Sequence, residues 1–345
     1  MDAGVETIEW LFRDCLQVDA EWSERTPTGF RWWAYQNAQT VEVVGEETGP
    51  DGESGYLVSI RTELWRSLDL TDRAVETIHA LLAPFASMAG PVYDPETRSL
   101  FLASLVRVYD EISPWMNPLL GMAAVLQVGE ARIAGPLLAE LLGADLALSG
   151  PPGRGLRPEP DDMAEVISTY IAPIGTQPSR WSEDEFADAV DAHMGQPPAL
   201  LASAGGPGFT VEFPYGDESS LCQAMADQPH PRYGNGLFLL QSFPFDAGSD
   251  VEGARLALSM NASELTERPF GYGFGSYAGR GRMLHFVAFF PNALYRPGLL
   301  PNIYMSCAMR AREMSVRLAG ADWTEGSFSA DRSAVGRLAK RRRRR

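Results

Sequence analysis

The chain has 345 residues, 45% of them apolar and 10% aromatic, and a formal net charge of −16. That length exceeds one compact domain and that aromatic content excludes general disorder, so two units of about 150 to 170 residues are expected. The three cysteines, Cys15, Cys222 and Cys307, stand far apart with no CxxC and no histidine at ligand spacing, which argues against a disulfide framework or a zinc site and fits a reducing compartment.

The opening "MDAGVETIEWLFRDCL" is acidic and amphipathic and reads as a short helix, whereas a signal peptide would start basic and continue apolar. "GFRWWAYQNAQTVEVV" from Gly29 and "YLVSIRTELW" from Tyr56 follow as strands. Alternation along "FRWWAY" sets Phe30, Trp32 and Ala34 on one face and Arg31, Trp33 and Tyr35 on the other. "TDRAVETIHALLAPF" is the next helix, with Ala74, Ile78, Leu81, Leu82 and Phe85 at helical spacing behind a Thr71 or Asp72 cap. "GPVYDPETRSLFLASLVRVY" reads as a hairpin turned at Asp94-Pro95-Glu96-Thr97. "MNPLLGMAAVLQVGEARIAGPLLAELLG" is a long helix with Pro118 near its start and Gly143 at its end. Glu130 and Arg132 interrupt it, so even this stretch is not expected to span a membrane.

Residues 149–160, "SGPPGRGLRPEP", suit a linker, and "DDMAEVISTYI" adds a short helix. The first order of elements then returns, displaced by about 180 residues. "SEDEFADAVDAHM" is a helix with a Ser182–Glu185 capping box, "GFTVEFPYGDESSLCQAM" from Gly208 and "GLFLLQSFPF" from Gly236 are strands, and "GQPPALLASAGGPG" is a flexible connection. "SDVEGARLALSMNASEL" is a helix behind Asp250 with Val251, Ala254, Leu258, Ala262 and Leu265 in one stripe. "LPNIYMSCAMRAREMSVRLAG" closes the second half between Pro301 and Gly320.

"FGYGFGSYAGRGRMLHFVAFF", residues 270–290, holds five glycines before an apolar run. A phosphate loop needs a helix N-terminus directly after it. Here a strand follows, so Gly271, Gly273, Gly275, Gly279 and Gly281 are expected to form a strand, a turn and a bulge. His285 alternates with Met283, Val287 and Phe289, as a sheet residue would. No serine lies in GxSxG, and carboxylate runs such as "SEDEFADAVD" read as solvated helix faces. Asn261 heads an "NAS" triplet inside an expected helix and is not taken as a glycosylation acceptor.

In each half the order is helix, strands, helix, hairpin, long helix. This resembles the type III secretion chaperone-like superfamily, including its YbjN-like branch, and the resemblance covers residues 1–145 and 180–320. It implies an α+β fold of two tandem repeats, each an antiparallel sheet packed with helices. The expected boundaries are 1–148 for the first repeat, 149–181 for the linker, 182–320 for the second repeat and 321–345 for a flexible tail. The resemblance further implies a non-enzymatic chaperone or adaptor without cofactor or metal, a pseudo-dimer in one chain, that holds a segment of a client protein. Trp33, Tyr35 and Tyr272 are the expected contact residues, since Trp and Tyr dominate binding hot spots.

Setting aside the six charges of Lys340 and Arg341 to Arg345 leaves residues 1–339 at −22, so a basic client is favoured and nucleic acid is disfavoured except through Arg341 to Arg345. A cytoplasmic protein is expected. The competing expectation is an enzyme or a binder of a small anion in the cleft between the halves, with Arg280, Arg282 and His285 meeting the ligand.

Overall fold

In the computed structural model, which describes residues 2–48, 52–82, 87–170, 181–194, 199–200 and 207–319, two antiparallel sheets each receive a long helix on one face. The fold is α+β. The first helix, α1 (Ala3–Trp10), starts where the Asp2 carboxylate accepts the Val5 amide at 2.8 Å, and runs on into a π-helical turn, Leu11–Cys15. Strands β1 (Ser23–Thr26), β2 (Gly29–Trp32), β3 (Gln39–Thr48) and β4 (Ser54–Arg66) lead to α2 (Asp72–Leu81), which Thr71 caps. β5 (Gly90–Asp94) and β6 (Ser99–Val108) form a hairpin whose turn the Asp94 side chain closes onto the Glu96 and Thr97 amides. α3 (Ser113–Leu142) ends at Gly143, where φ is 62° and a side chain would be strained. The short β7 (Asp145–Leu146) then pairs with β4, and α4 (Asp162–Tyr170) packs against α3.

The second half comprises α5 (Glu183–Met194), β8 (Ala199–Leu200), β9 (Gly208–Tyr215), β10 (Glu218–His230), β11 (Gly234–Pro244), α6 (Asp250–Ala262), β12 (Ser276–Arg280), β13 (Met283–Pro291) and α7 (Leu299–Ala319). The first sheet is ordered β1-β2-β3-β4-β6-β5 and the second β8-β9-β10-β11-β13-β12. Apart from β1 and β8, the two orders correspond strand for strand.

Each closing helix seals one face of its sheet. In the first half Phe30, Trp32, Val41 and Ile60 are buried with Leu119, Leu120 and Ala123 of α3. Gln39 on that face donates to Thr62 at 2.6 Å and to the Ala124 carbonyl at 2.9 Å. In the second half Phe209, Phe213 and Phe286 are buried with Ile303, Tyr304 and Ala311 of α7, and Gln241 donates to the Cys307 carbonyl at 2.8 Å. Both faces thus bury aromatic side chains around a glutamine bonded to the helix backbone.

The halves meet through α2 and α6 and through two reciprocal crossings. Ser87 reaches the second sheet, where its carbonyl accepts the Phe289 amide at 2.9 Å, and Gly273 reaches the first, where its amide donates to the Leu105 carbonyl at 3.1 Å. His79 of α2 accepts the Gly279 amide at 2.8 Å.

Several expectations need correction. Leu81 is 39% exposed and lies off the buried stripe of α2, while Phe85 and Gly320 fall outside the described residues. Ser249, not Asp250, caps α6, because its hydroxyl is the group that accepts the Glu252 amide. α3 begins at Ser113, so Pro118 lies inside it. Residues 149–161 do not hang free: Asp161 donates its amide to the Ala34 carbonyl at 2.7 Å, and Arg157 bonds the Trp33 carbonyl at 2.9 Å and the Asp161 carboxylate at 3.2 Å. The tail, 321–345, and most of the connection at 195–208 lie outside the described residues. The Ser182–Glu185 capping box is present in both directions.

Candidate functional site

The glycine-rich segment is not a ligand cradle. Only residues 276–291 form the expected hairpin; residues 270–275 cross between α7 and the first sheet. A Cβ on Gly271 would lie 2.3 Å from the Ser306 hydroxyl, and one on Gly273 would lie 2.4 Å from the Leu105 carbonyl oxygen, so glycine is required by close approach on both sides. A buried ion pair anchors this crossing. Arg310 of α7 and Glu264, in the π-helical turn Ser263–Glu267 after α6, are both fully buried with 2.7 Å between their closest atoms. Tyr277 donates to Glu264 at 2.6 Å, Arg310 donates to the Tyr272 carbonyl at 2.8 Å, and its guanidinium stacks 3.5 Å above Phe286. Burial foremost, with Glu264 beside it, pushes the Tyr277 phenol well above its ordinary value. These groups build structure and present nothing to a ligand.

The expected contact residues do not share a surface. β2 stops at Trp32, so the alternation assumed for "FRWWAY" breaks there. Trp33 is 2% exposed and donates its indole N–H to Ser149 at 3.0 Å, under the segment once expected to be a linker. Tyr35 is half-buried beside Arg132, and Tyr272 is half-buried edge-on to Trp115, with ring centroids 5.9 Å apart. Tyr272 thus belongs to the junction between halves. Sequence reading missed this because strand ends and crossings depend on distant partners.

Arg280 and Arg282 are exposed at the β12–β13 turn, and Arg282 pairs with Asp246 at 3.2 Å. Arg280, Arg282 and His285 line neither the groove beside Arg157 nor the one beside α1. The His285 ring instead meets the Ser242 hydroxyl across the β11–β13 ladder, Nδ1 to Oγ 2.9 Å, and burial first, then Arg280, lowers its pKa. A serine beside a histidine is the start of a nucleophilic pair. Here both residues lie inside the β10–β11–β13 ladder. Among the described residues no group of three or more His, Cys, Asp or Glu side chains could hold a metal ion, and no helix is long and apolar enough to cross a membrane.

What remains is the sheet face opposite each closing helix. In the first sheet, register places Arg31, Thr40, Glu42, Ser59, Arg61 and Glu63 there. Arg31 and Arg66 pair with Glu63, and Arg61 lies 4.0 Å over Phe101. In the second sheet the equivalent positions on β10 and β11 hold Leu221, Gln223, Met225, Phe238, Leu240 and Ser242, and β13 adds Met283 and His285. Leu221, Met225, Phe238 and Leu240 are half-buried and adjoin one another through the register around Gln223, while Met283, opposite Pro244, is set apart from them by Ser242 and His285. Exposed Glu212, opposite Leu221, borders this face on β9, and exposed Asp217 lies in the β9–β10 turn at its end. Such a surface takes an extended or helical apolar segment, with the acidic border favouring basic flanking residues. A second groove, about 500 Å³, lies between α1 and the β1–β2 turn, but its charged rim is already satisfied by Arg13 and Arg25 on Glu9.

No protein-family model matches the chain, and neither a curated protein nor a solved structure matches it.

Proposed function

We propose that the protein is a non-enzymatic chaperone or adaptor that holds a segment of a client polypeptide on the outer face of the second sheet. The observation that carries this reading is the apolar patch Leu221–Met225–Phe238–Leu240 on a face whose counterpart in the first sheet is charged. A solvent-facing sheet surface ordinarily alternates to polar residues, and a contiguous apolar face marks an interaction surface. The client that fits has apolar side chains at alternate positions and basic residues between them, because Glu212 and Asp217 border the patch. The matching strand orders support reading the chain as two copies of one chaperone-like unit, a pseudo-dimer in which only the second copy keeps a binding face. On this reading the chain is a type III secretion chaperone-like protein of the cytoplasm.

Fluorescence anisotropy with labelled peptides that alternate apolar residues with lysine, and with the same peptides carrying glutamate, tests the reading. The lysine series binds the full chain and the glutamate series binds at least tenfold more weakly. Leu240→Asp abolishes binding while circular dichroism is unchanged, and Arg61→Asp on the first sheet leaves binding intact. Equal binding by wild type and Leu240→Asp would refute the assignment.

A further inference from the structure

α3 carries only three charged residues in thirty, Glu130, Arg132 and Glu140. Its C-terminal half is apolar on both sides. Ala131, Ala134 and Leu138 are buried against Leu64, Trp65 and Leu100 of the first sheet. On the opposite side Ile133, Leu137 and Leu141, spaced by four residues, are 49%, 68% and 55% exposed. A helix that is hydrophobic all round is ordinarily covered on all sides, so this stripe calls for a protein partner. α7, which occupies the equivalent place in the second half, carries Arg310, Arg312, Glu313 and Arg317 in a shorter length, so the deficit of charge belongs to α3 alone.

The charges beside the stripe identify the occupant. Arg132 stands four residues before Pro136, and Glu140 three residues after Leu137. In an antiparallel pair of α3 helices related by a two-fold axis between Pro136 and Leu137, Arg132 of one copy and Glu140 of the other fall at nearly the same height, within about 1.5 Å at the helical rise. Leu137 meets Leu137 near the axis and Ile133 meets Leu141. Arg132 forms an exposed ion pair with Glu165 and lies 5.9 Å over the Tyr35 ring, and half of its side chain stays exposed at the surface. A foreign partner would have no reason to match this arrangement, whereas a second copy matches it by symmetry.

We propose that α3 is a self-association surface on which two copies of the chain pair through Ile133, Leu137 and Leu141, with reciprocal Arg132–Glu140 contacts. The stripe is short, about 12 Å from Ile133 to Leu141 at 1.5 Å per residue, so the pair is a weak, concentration-dependent dimer rather than an obligate one. It leaves the outer face of the second sheet unused and does not depend on the client reading.

Sedimentation velocity of the full chain over a concentration series tests this. Wild type shifts toward twice the monomer mass as concentration rises, and Leu137→Glu raises the dissociation constant at least tenfold. That variant folds normally, since Leu137 faces solvent. Glu140→Arg weakens the pair, and adding Arg132→Glu restores it. In a Cys15→Ser background, Leu137→Cys forms an intermolecular disulfide on mild oxidation by oxidised glutathione, because the side chain lies on the axis, whereas Val166→Cys on α4 does not. A chain that stays monomeric throughout, or an association that Leu137→Glu leaves unchanged, overturns the proposal.

Discussion

The two sheets share a strand order and a closing helix, yet they solve their polar problems differently. Behind α3 the first sheet buries an uncharged network, in which Gln39 donates to Thr62, Thr62 to Gln127 at 2.9 Å, and Gln127 to Ser104 at 2.9 Å. Beside α7 the second buries the Glu264–Arg310 ion pair. On the outer faces the relation reverses: the first sheet is charged and the second apolar. One architecture therefore tolerates either choice on either face.

The largest test of this contrast removes one partner of each interior network. Arg310→Met strands the Glu264 carboxylate and should cost about 3 to 5 kcal/mol in urea unfolding, whereas Gln127→Leu in the first half should cost about 1 to 3 kcal/mol. Equal losses would mean that the ion pair is no more important to its sheet than the neutral network is to the other.

Next comes the contact between the halves. Glu130 of α3 is buried and accepts the Tyr233 hydroxyl at 2.9 Å, with Arg232 nearby and a backbone hydrogen bond from Ser87. Burial outweighs all three and raises its pKa from 4.5 to about 7. Its proton is held more tightly in the folded state, so the associated stability is complete below about pH 4.5 and is lost as pH rises through about 7. The loss amounts to about 3 kcal/mol. Glu130→Gln should flatten that part of a stability–pH curve measured by chemical denaturation; a slope that survives the substitution would assign it to another group.

A smaller contrast lies between two glycines. Gly273→Ala forces a methyl against the Leu105 carbonyl and should destabilise by about 1 to 3 kcal/mol. Gly129→Ala on α3 meets nothing within 4 Å and should stabilise by about 0.5 to 1 kcal/mol through helix propensity. Thermal unfolding of the two variants should therefore move in opposite directions. Least of all, Arg282→Ala should leave both stability and peptide binding unchanged, since its pairing with Asp246 is at the open surface.

Much of the secondary structure was legible from local pattern. The capping box at Ser182, the Asp94 turn and Gly143 at the end of α3 each follow from groups a few residues apart. The contact surface was not. Trp33 and Tyr35 looked presented because alternation was carried past Trp32, where the chain instead turns beneath Ser149 and Arg157, more than a hundred residues away. The apolar face had a signal that could have been found: Leu221, Met225, Phe238 and Leu240 alternate with residues that are themselves apolar, a pattern expected of a strand covered on both sides.

The sequence by itself determined the α+β class and the order of elements in each half, because periodicity, caps and turn chemistry act over short range. Only the tertiary structure decided which strand face each helix covers, that the glycine-rich segment is a crossing between sheets, and that one outer face is left apolar. Those depend on register between strands and on packing across the two halves, where one residue's surroundings are set by others far along the chain.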